Sequence, residues 1–218
     1  MGNVGGEDTK RRLLDAAGEI FAQAGFKAAT VRDICRLAKA NVAAVHYHFG
    51  DKMGLYTALL TEAFEEGLRR YPPDMGLPEG ASAEQRLHAF VLSFLLRTLG
   101  QGRYAWCGKL MAREMHEPTE ALDQLVATHI RPLSGRIRGI VAELMDLPAE
   151  HPCVRLSTMS VVGQCQYIFR SRAVIGKVAP ELQLDEQGVR DLAKHITDFS
   201  LAALKHIPYQ SDEALRAI

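Results

Sequence analysis

Along almost the whole chain apolar residues recur every three to four positions, and no stretch alternates residue by residue as a half-buried strand does. That pattern predicts an all-α protein. A first helix over residues 9–24 carries Leu13, Ala16, Ala17, Ile20 and Phe21 on one face, and Gly25 is placed to stop it. Thr30 is a good N-cap, Asp33 suits the turn after it, and Ile34, Leu37 and Ala38 give a second, short helix its apolar face. Lys39 and Ala40 make a turn, Asn41 caps a third helix over residues 42–49, and Gly50 ends it. A fourth helix over residues 52–70 turns Leu55, Leu59, Leu60, Ala63 and Phe64 inward and stops at Tyr71, before Pro72 and Pro73.

Residues 72–81 hold three prolines and two glycines, too many for regular structure, and mark a boundary between two domains. Beyond it Ser82 and Gln85 read as a capping box for a fifth helix. Its L-H-A-F-V-L-S-F-L-L run is apolar nearly all round, which places it centrally. A sixth helix covers residues 103–116, and a seventh covers 119–145 with a kink expected at Pro132, where one backbone bond is lost. Two more follow Pro152 and Leu184. The first presents Thr158, Val161, Val162, Cys165, Ile168 and Phe169; the second presents Val189, Leu192, Ala193, Ile196, Phe199, Ala203 and Leu204. Such a pair is either a dimer surface, two helices from each subunit forming a four-helix bundle, or part of the monomer's own interior.

Residues 30–52 carry the most specific chemistry. Two short helices joined by a tight turn, the second of small residues ending in His46, Tyr47 and His48, read as a helix-turn-helix. A bulkier helix cannot approach base edges in a DNA major groove. The chain of 218 residues has 26 basic and 26 acidic side chains, so no global field draws it to nucleic acid. Within residues 30–52, however, Arg32, Arg36, Lys39 and Lys52 outnumber Asp33 and Asp51. The result is a modest phosphate footprint, and strong binding needs two copies or a favourable local geometry.

Other classes find little support. There is no apolar run of the roughly 20 residues that a membrane span requires, and no apolar core of a secretory signal. Cys35, Cys107, Cys153 and Cys165 are scattered without a C-x-x-C pair, which fits reduced thiols and a cytoplasmic protein. His116, Cys107 and His151-Pro152-Cys153 lack metal-ligand spacing, so neither a metal nor a cofactor is expected. No G-x-S-x-G, P-loop or G-x-G-x-x-G points to an enzyme.

The F-A-Q-A-G-F end of the first helix, Thr30, Ile34 and the Y-H-F-G-D-K-M-G-L-Y block at residues 47–56 resemble the DNA-binding domain of TetR-type transcriptional regulators. R-E-M-H-E-P-T-E-A-L-D at residues 113–123 and N-V-A-A-V-H-Y-H-F-G-D-K at residues 41–52 resemble the CecR-like subgroup. The resemblance implies a helix-turn-helix domain over residues 7–67 and a helical effector-binding and dimerisation domain over residues 82–208. It further implies a homodimeric, ligand-responsive repressor on a palindromic operator, released by a small-molecule effector.

Carried over by position, Thr30, Tyr47, His48 and Lys52 would grip phosphates, while Val42, Ala43, Ala44 and His46 would face base edges. Arg32, Lys39 and Asn41 complete the DNA-binding set. Alternatives stand beside these roles: Thr30 as a plain cap, Tyr47 as packing, Lys52 as a solvated charge. Lys39 occupies a turn position where the family commonly has glycine, so the turn is strained or Lys39 reaches a phosphate. Phe90, Phe94, Trp106, Met111, Met115 and His129 are candidates to line an effector pocket, with ordinary core as the alternative. The rival functions are a constitutive DNA-binding protein without effector and a helical enzyme or carrier.

Overall fold

A computed structural model describes residues 4–99 and 107–206. Every regular element among them is helical: α1 (Val4–Ala28), α2 (Val31–Ala38), α3 (Val42–Phe49), α4 (Lys52–Arg70), α5 (Ala83–Leu99), α6 (Cys107–Glu114), α7 (Glu120–Leu125), α8 (Arg131–Met145), α9 (Pro152–Arg170), α10 (Arg172–Val178) and α11 (Glu186–His206). These pack as two compact units, one from the described parts of Met1–Pro72 and Arg97–Leu133, the other from those of Pro73–Leu96 and Ser134–Ile218.

The first unit is built on Leu13, Ala17 and Phe21 of α1, Ile34 of α2, Val45 of α3 and Leu55, Tyr56, Leu59 and Leu60 of α4. Phe21 meets the Tyr56 ring edge-on at 4.8 Å, and Phe26 lies 5.0 Å from the same ring. Leu110 of α6 and Ala121 of α7 belong to this cluster too. The seam between compact units therefore does not simply follow the proline-rich segment, because α6 and α7 join the amino-terminal helices. A block of about sixty residues buries only about 60% of the surface its unfolded chain exposes, and α6 and α7 cover further faces of α1 and α4.

In the second unit Leu87, Val91 and Leu95 of α5, Ile137, Ile140 and Val141 of α8, Val154, Val161 and Cys165 of α9, and Val189, Ala193, Ile196 and Leu204 of α11 are all buried. The capping box forms as its spacing predicts: Ser82 N–H donates to Gln85 Oε1 at 2.9 Å and Gln85 N–H to Ser82 Oγ at 3.3 Å. Arg86 pairs with Glu143 at 2.5 Å and ties α5 to α8.

Three differences from the sequence reading have physical causes. Gly25 interrupts the first helix at φ 79°, ψ 167°, as its placement predicts, but one further helical turn follows it to Ala28. The predicted seventh helix is divided into α7 and α8 by a π-helical turn at Val126–Ile130. That wider turn precedes Pro132, whose ring would clash with the carbonyl one turn back and which has no N–H to offer. Finally, Thr158, Val161 and Cys165 of one expected dimer stripe, and Val189, Ala193, Ile196 and Leu204 of the other, lie in the interior. The apolar residues left outside are Leu156, Met159 and Tyr167 on α9 and Phe199 on α11.

Candidate nucleic-acid interface

The segment from Thr30 to Gly50 is fixed at each joint by local hydrogen bonds. Thr30 Oγ1 accepts from Asp33 N–H at 3.1 Å and donates to Asp33 Oδ2 at 2.6 Å, and Asp33 Oδ1 holds Arg36 at 2.7 Å. At the other end of α2, Lys39 adopts the left-handed conformation at φ 51°, ψ 46°. Its N–H reaches Arg36 O at 3.3 Å while Ala40 N–H reaches Cys35 O at 3.0 Å, a Schellman closure in which lysine occupies glycine's usual place. Arg12 of α1 clamps this turn, donating to Ala38 O at 3.0 Å and Lys39 O at 3.2 Å. Cys35 Sγ donates to Asn41 O at 3.5 Å, and burial pushes its thiol above the ordinary range, so it sits here as a neutral packing group.

Asn41 Oδ1 then accepts from Ala44 N–H at 2.8 Å and starts α3. Val45 is buried in the core and sets the rotation of the helix, so Val42, Ala43, His46 and Tyr47 form one outward arc. Tyr47 is 85% exposed, the extreme among the exposed large apolar side chains, and Val42 is 39% exposed. His46 Nδ1 lies 2.6 Å from Gly50 O. His48 is half-buried, its ring 4.9 Å from Tyr47 and 6.0 Å from Phe49. Thr30, Arg32, Lys39 and Asn41 are exposed beside this arc.

Two of the predicted contact residues have partners within the protein. Ala44, expected at a base edge, packs partly buried against the core of the first unit. Lys52, expected to grip a phosphate or to be simply solvated, directs its ammonium to Phe26 O at 2.9 Å, Ala29 O at 3.0 Å and Lys27 O at 3.4 Å, with the Phe26 ring centroid at 4.5 Å. A cation satisfying the end of a helix lies where the helix dipole favours it. Lys52 joins α4 to the end of α1 and so positions the reading segment. Sequence reasoning missed both this role and that of Arg12, because their partners lie 23 to 27 residues away.

The R-E-M-H-E-P-T stretch is anchored to the same block. Arg113 donates to Gln23 O at 3.0 Å and lies over Gly25, where a Cβ would stand 2.7 Å from its Nη1. Glu114 is buried and accepts from Tyr56 Oη at 2.7 Å and Thr119 N–H at 2.9 Å. Glu117 pairs with Lys27 at 3.0 Å, and hydrogen bonding from that ammonium holds its carboxyl below the usual range.

The predicted pocket residues do not share one compact unit. Phe90 is buried and Phe94 half-buried on the part of α5 in the second unit. Met111 packs against the core of the first unit, Met115 is exposed, and His129 Nε2 stands 3.6 Å from Glu65 Oε1. Trp106 lies outside the described residues. A separate open groove of about 620 Å³ runs along α4 between α1 and α7, lined by Lys10, Thr57, Thr61, Glu62, Glu65 and Glu120 among others. Among the described residues no cluster of histidine, cysteine and carboxylate side chains suits a metal ion, and no helix is long and apolar enough to cross a membrane.

Residues 13–59 match the family described as bacterial regulatory proteins, tetR family, and residues 83–204 match the C-terminal domain of the HTH-type transcriptional dual regulator CecR. The HTH-type transcriptional repressor NicS of Pseudomonas putida is 23% identical over 206 residues, covering 90% of this chain and 92% of its own. CecR of Shigella flexneri is 27% identical over 169 residues, 74% of this chain and 75% of its own. Among solved structures, FadR from Bacillus subtilis in complex with stearoyl-CoA superposes with a TM-score of 0.64 at 17% identity, covering 88% of this chain and 97% of FadR. A TetR-like regulator from Rhodococcus sp. RHA1 gives 0.62 at 18% identity, over 89% and 96% of the two chains. Such structural likeness establishes the fold.

Proposed function

Because this chain belongs to the TetR family of helix-turn-helix transcriptional regulators and carries a C-terminal domain of the CecR type, we propose that it is a homodimeric repressor of a palindromic operator, released by a small-molecule effector. It is a regulator and not an enzyme, as are its relatives. The observation that carries the reading is the outward arc of α3: Tyr47 is 85% exposed on a helix whose start, end and rotation are all fixed. An aromatic side chain left in water at that position is explained by contact with a phosphate or base edge.

In this reading Val42, Ala43 and His46 face the bases, Tyr47 and His48 reach the backbone, and Thr30, Arg32, Lys39 and Asn41 extend the contact to phosphates. Residues 7–67 form the DNA-binding part and residues 82–208 the effector and dimerisation part. Two copies would place their α3 helices in successive major grooves about one helical turn apart. Leu156, Met159 and Tyr167 of α9 fall on one helical face, which with Phe199 of α11 supports a four-helix dimer contact. The repressor reading is supported by NicS, named as a repressor, and the effector reading by FadR, solved with stearoyl-CoA. Release is then a population shift; moving from 1:99 to 99:1 takes about 5.5 kcal/mol of differential affinity.

Selection of bound sequences from random duplex DNA, followed by salt titration, tests this. A palindromic motif should emerge, and Arg32→Ala or Lys39→Ala should flatten the salt slope by about 0.9 for each phosphate no longer neutralised. Recovery of no enriched sequence, with binding indifferent to salt, would overturn the reading.

A further inference from the structure

We propose that His46 reads the operator as a hydrogen-bond acceptor and so selects adenine or cytosine on the strand it faces. This rests on the DNA-binding role of α3 given above and names the base chemistry of that site. His46 Nδ1 is 2.6 Å from the carbonyl oxygen of Gly50. A carbonyl oxygen only accepts, so in this contact Nδ1 carries the proton. A neutral imidazole has one N–H, which leaves Nε2 a lone pair and nothing to donate.

The contact is built into the end of the helix. Gly50 N–H donates back to His46 O at 3.1 Å, so the two residues close a ring through backbone and side chain. Gly50 turns its carbonyl toward the imidazole by adopting φ 79°, ψ −62°, the geometry of a γ-turn that residues with a Cβ strongly resist. Open space surrounds that α-carbon, with nothing within 4 Å of the place a Cβ would take. The glycine is therefore required by conformation and not by crowding. Its consequence is an imidazole held in one tautomer before any DNA arrives.

In the major groove the hydrogen-bond donors on base edges are the adenine N6 and cytosine N4 amino groups. Every base pair carries one such group, and its place across the groove tells which strand holds the adenine or cytosine. An acceptor fixed on one side of the groove distinguishes those two from guanine and thymine, which present oxygen there. Of the exposed neighbours of His46 on α3, Val42 and Ala43 are apolar and offer no side-chain hydrogen bond, and Tyr47 is assigned above to the DNA backbone.

The full-length protein and its His46→Ala and His46→Arg variants would be put through the same selection from random duplex DNA at pH 8. One column per half-site, enriched in adenine or cytosine for the native protein, should become flat with alanine. It should move to guanine with arginine, which donates to O6 and N7. Replacing the selected base by its analogue lacking the amino group should weaken native binding roughly three- to tenfold, the worth of one neutral hydrogen bond. The same replacement should leave His46→Ala binding unchanged. A native column of guanine or thymine at the His46-dependent position, or no column that depends on His46, overturns the acceptor assignment while leaving DNA reading intact. Absence of any enriched motif overturns both.

Discussion

Tyr56 of α4 and Glu114 at the end of α6 are joined by a 2.7 Å hydrogen bond, with Tyr56 1% and Glu114 2% exposed. A carboxylate so deeply buried is tolerated because its oxygens also take Thr119 N–H at 2.9 Å and the Thr119 hydroxyl at 3.1 Å. The pair links the helix that follows the reading segment to the R-E-M-H-E-P-T stretch. Tyr56→Phe keeps the ring in the aromatic cluster but removes one donor from a buried carboxyl group. The expected loss is about 1.5–3 kcal/mol in urea unfolding. In a double-mutant cycle with Glu114→Gln the coupling should exceed about 0.5 kcal/mol, as for contacting groups generally. Additive single losses would break the proposed link.

Lys52 tests the difference between positioning and contact. Lys52→Met preserves the length of the side chain and removes the ammonium that holds the carbonyls of Phe26, Lys27 and Ala29. Stability should fall by about 1–2 kcal/mol. Operator affinity should fall with it, while the salt slope stays that of the native protein, because no phosphate contact is removed. A shallower slope would return Lys52 to the phosphate-gripping set.

Lys39 sets stability against binding at one residue. A side chain in the left-handed region costs roughly 1–2 kcal/mol, and glycine returns part of that gain through unfolded-state entropy. Lys39→Gly should therefore stabilise folding by about 0.5–1 kcal/mol in denaturant melts. Its operator binding should weaken and become less dependent on salt, since the charge is gone. Stabilisation without any loss of binding would mean that Lys39 touches no phosphate.

The outward residues of α9 and α11 make the proposed dimer testable. Phe199 and Tyr167 are 60% and 59% exposed, so Phe199→Glu or Tyr167→Glu should leave the monomer folded. Sedimentation should then shift from dimer to monomer, and binding to a two-half-site operator should fall more steeply than binding to one half-site. An unaltered sedimentation profile in both variants would place the dimer contact elsewhere.

The caps at Thr30 and Asn41, the stop at Gly50, the capping box at Ser82 and Gln85, and the all-helical class were legible in the sequence. Each depends on residues within about four positions of one another, where helix chemistry is local. Helical periodicity also located Phe21, Leu55 and Leu59 as core. It did not tell whether the α9 stripe of Thr158, Val161 and Cys165 faces a partner or the monomer's own interior, because burial in either place asks for the same period. Ala44 shows the same limit on a smaller scale, since a helix of small residues does not reveal its own rotation.

Only the tertiary structure decided the work of Lys52, Arg12 and Glu114, whose partners lie 23 to 58 residues away. Sequence marks a charge but not its destination, and a lysine that reaches a phosphate is spelled like one that caps a neighbouring helix. The chain by itself therefore determined the elements and the family of this regulator, through interactions short enough to be read along the backbone. The packing of α1 against α2 and α4, with α6 and α7 added to α1 and α4, decided which charges face outward and which hold the frame, because packing alone brings distant donors and acceptors within hydrogen-bond range.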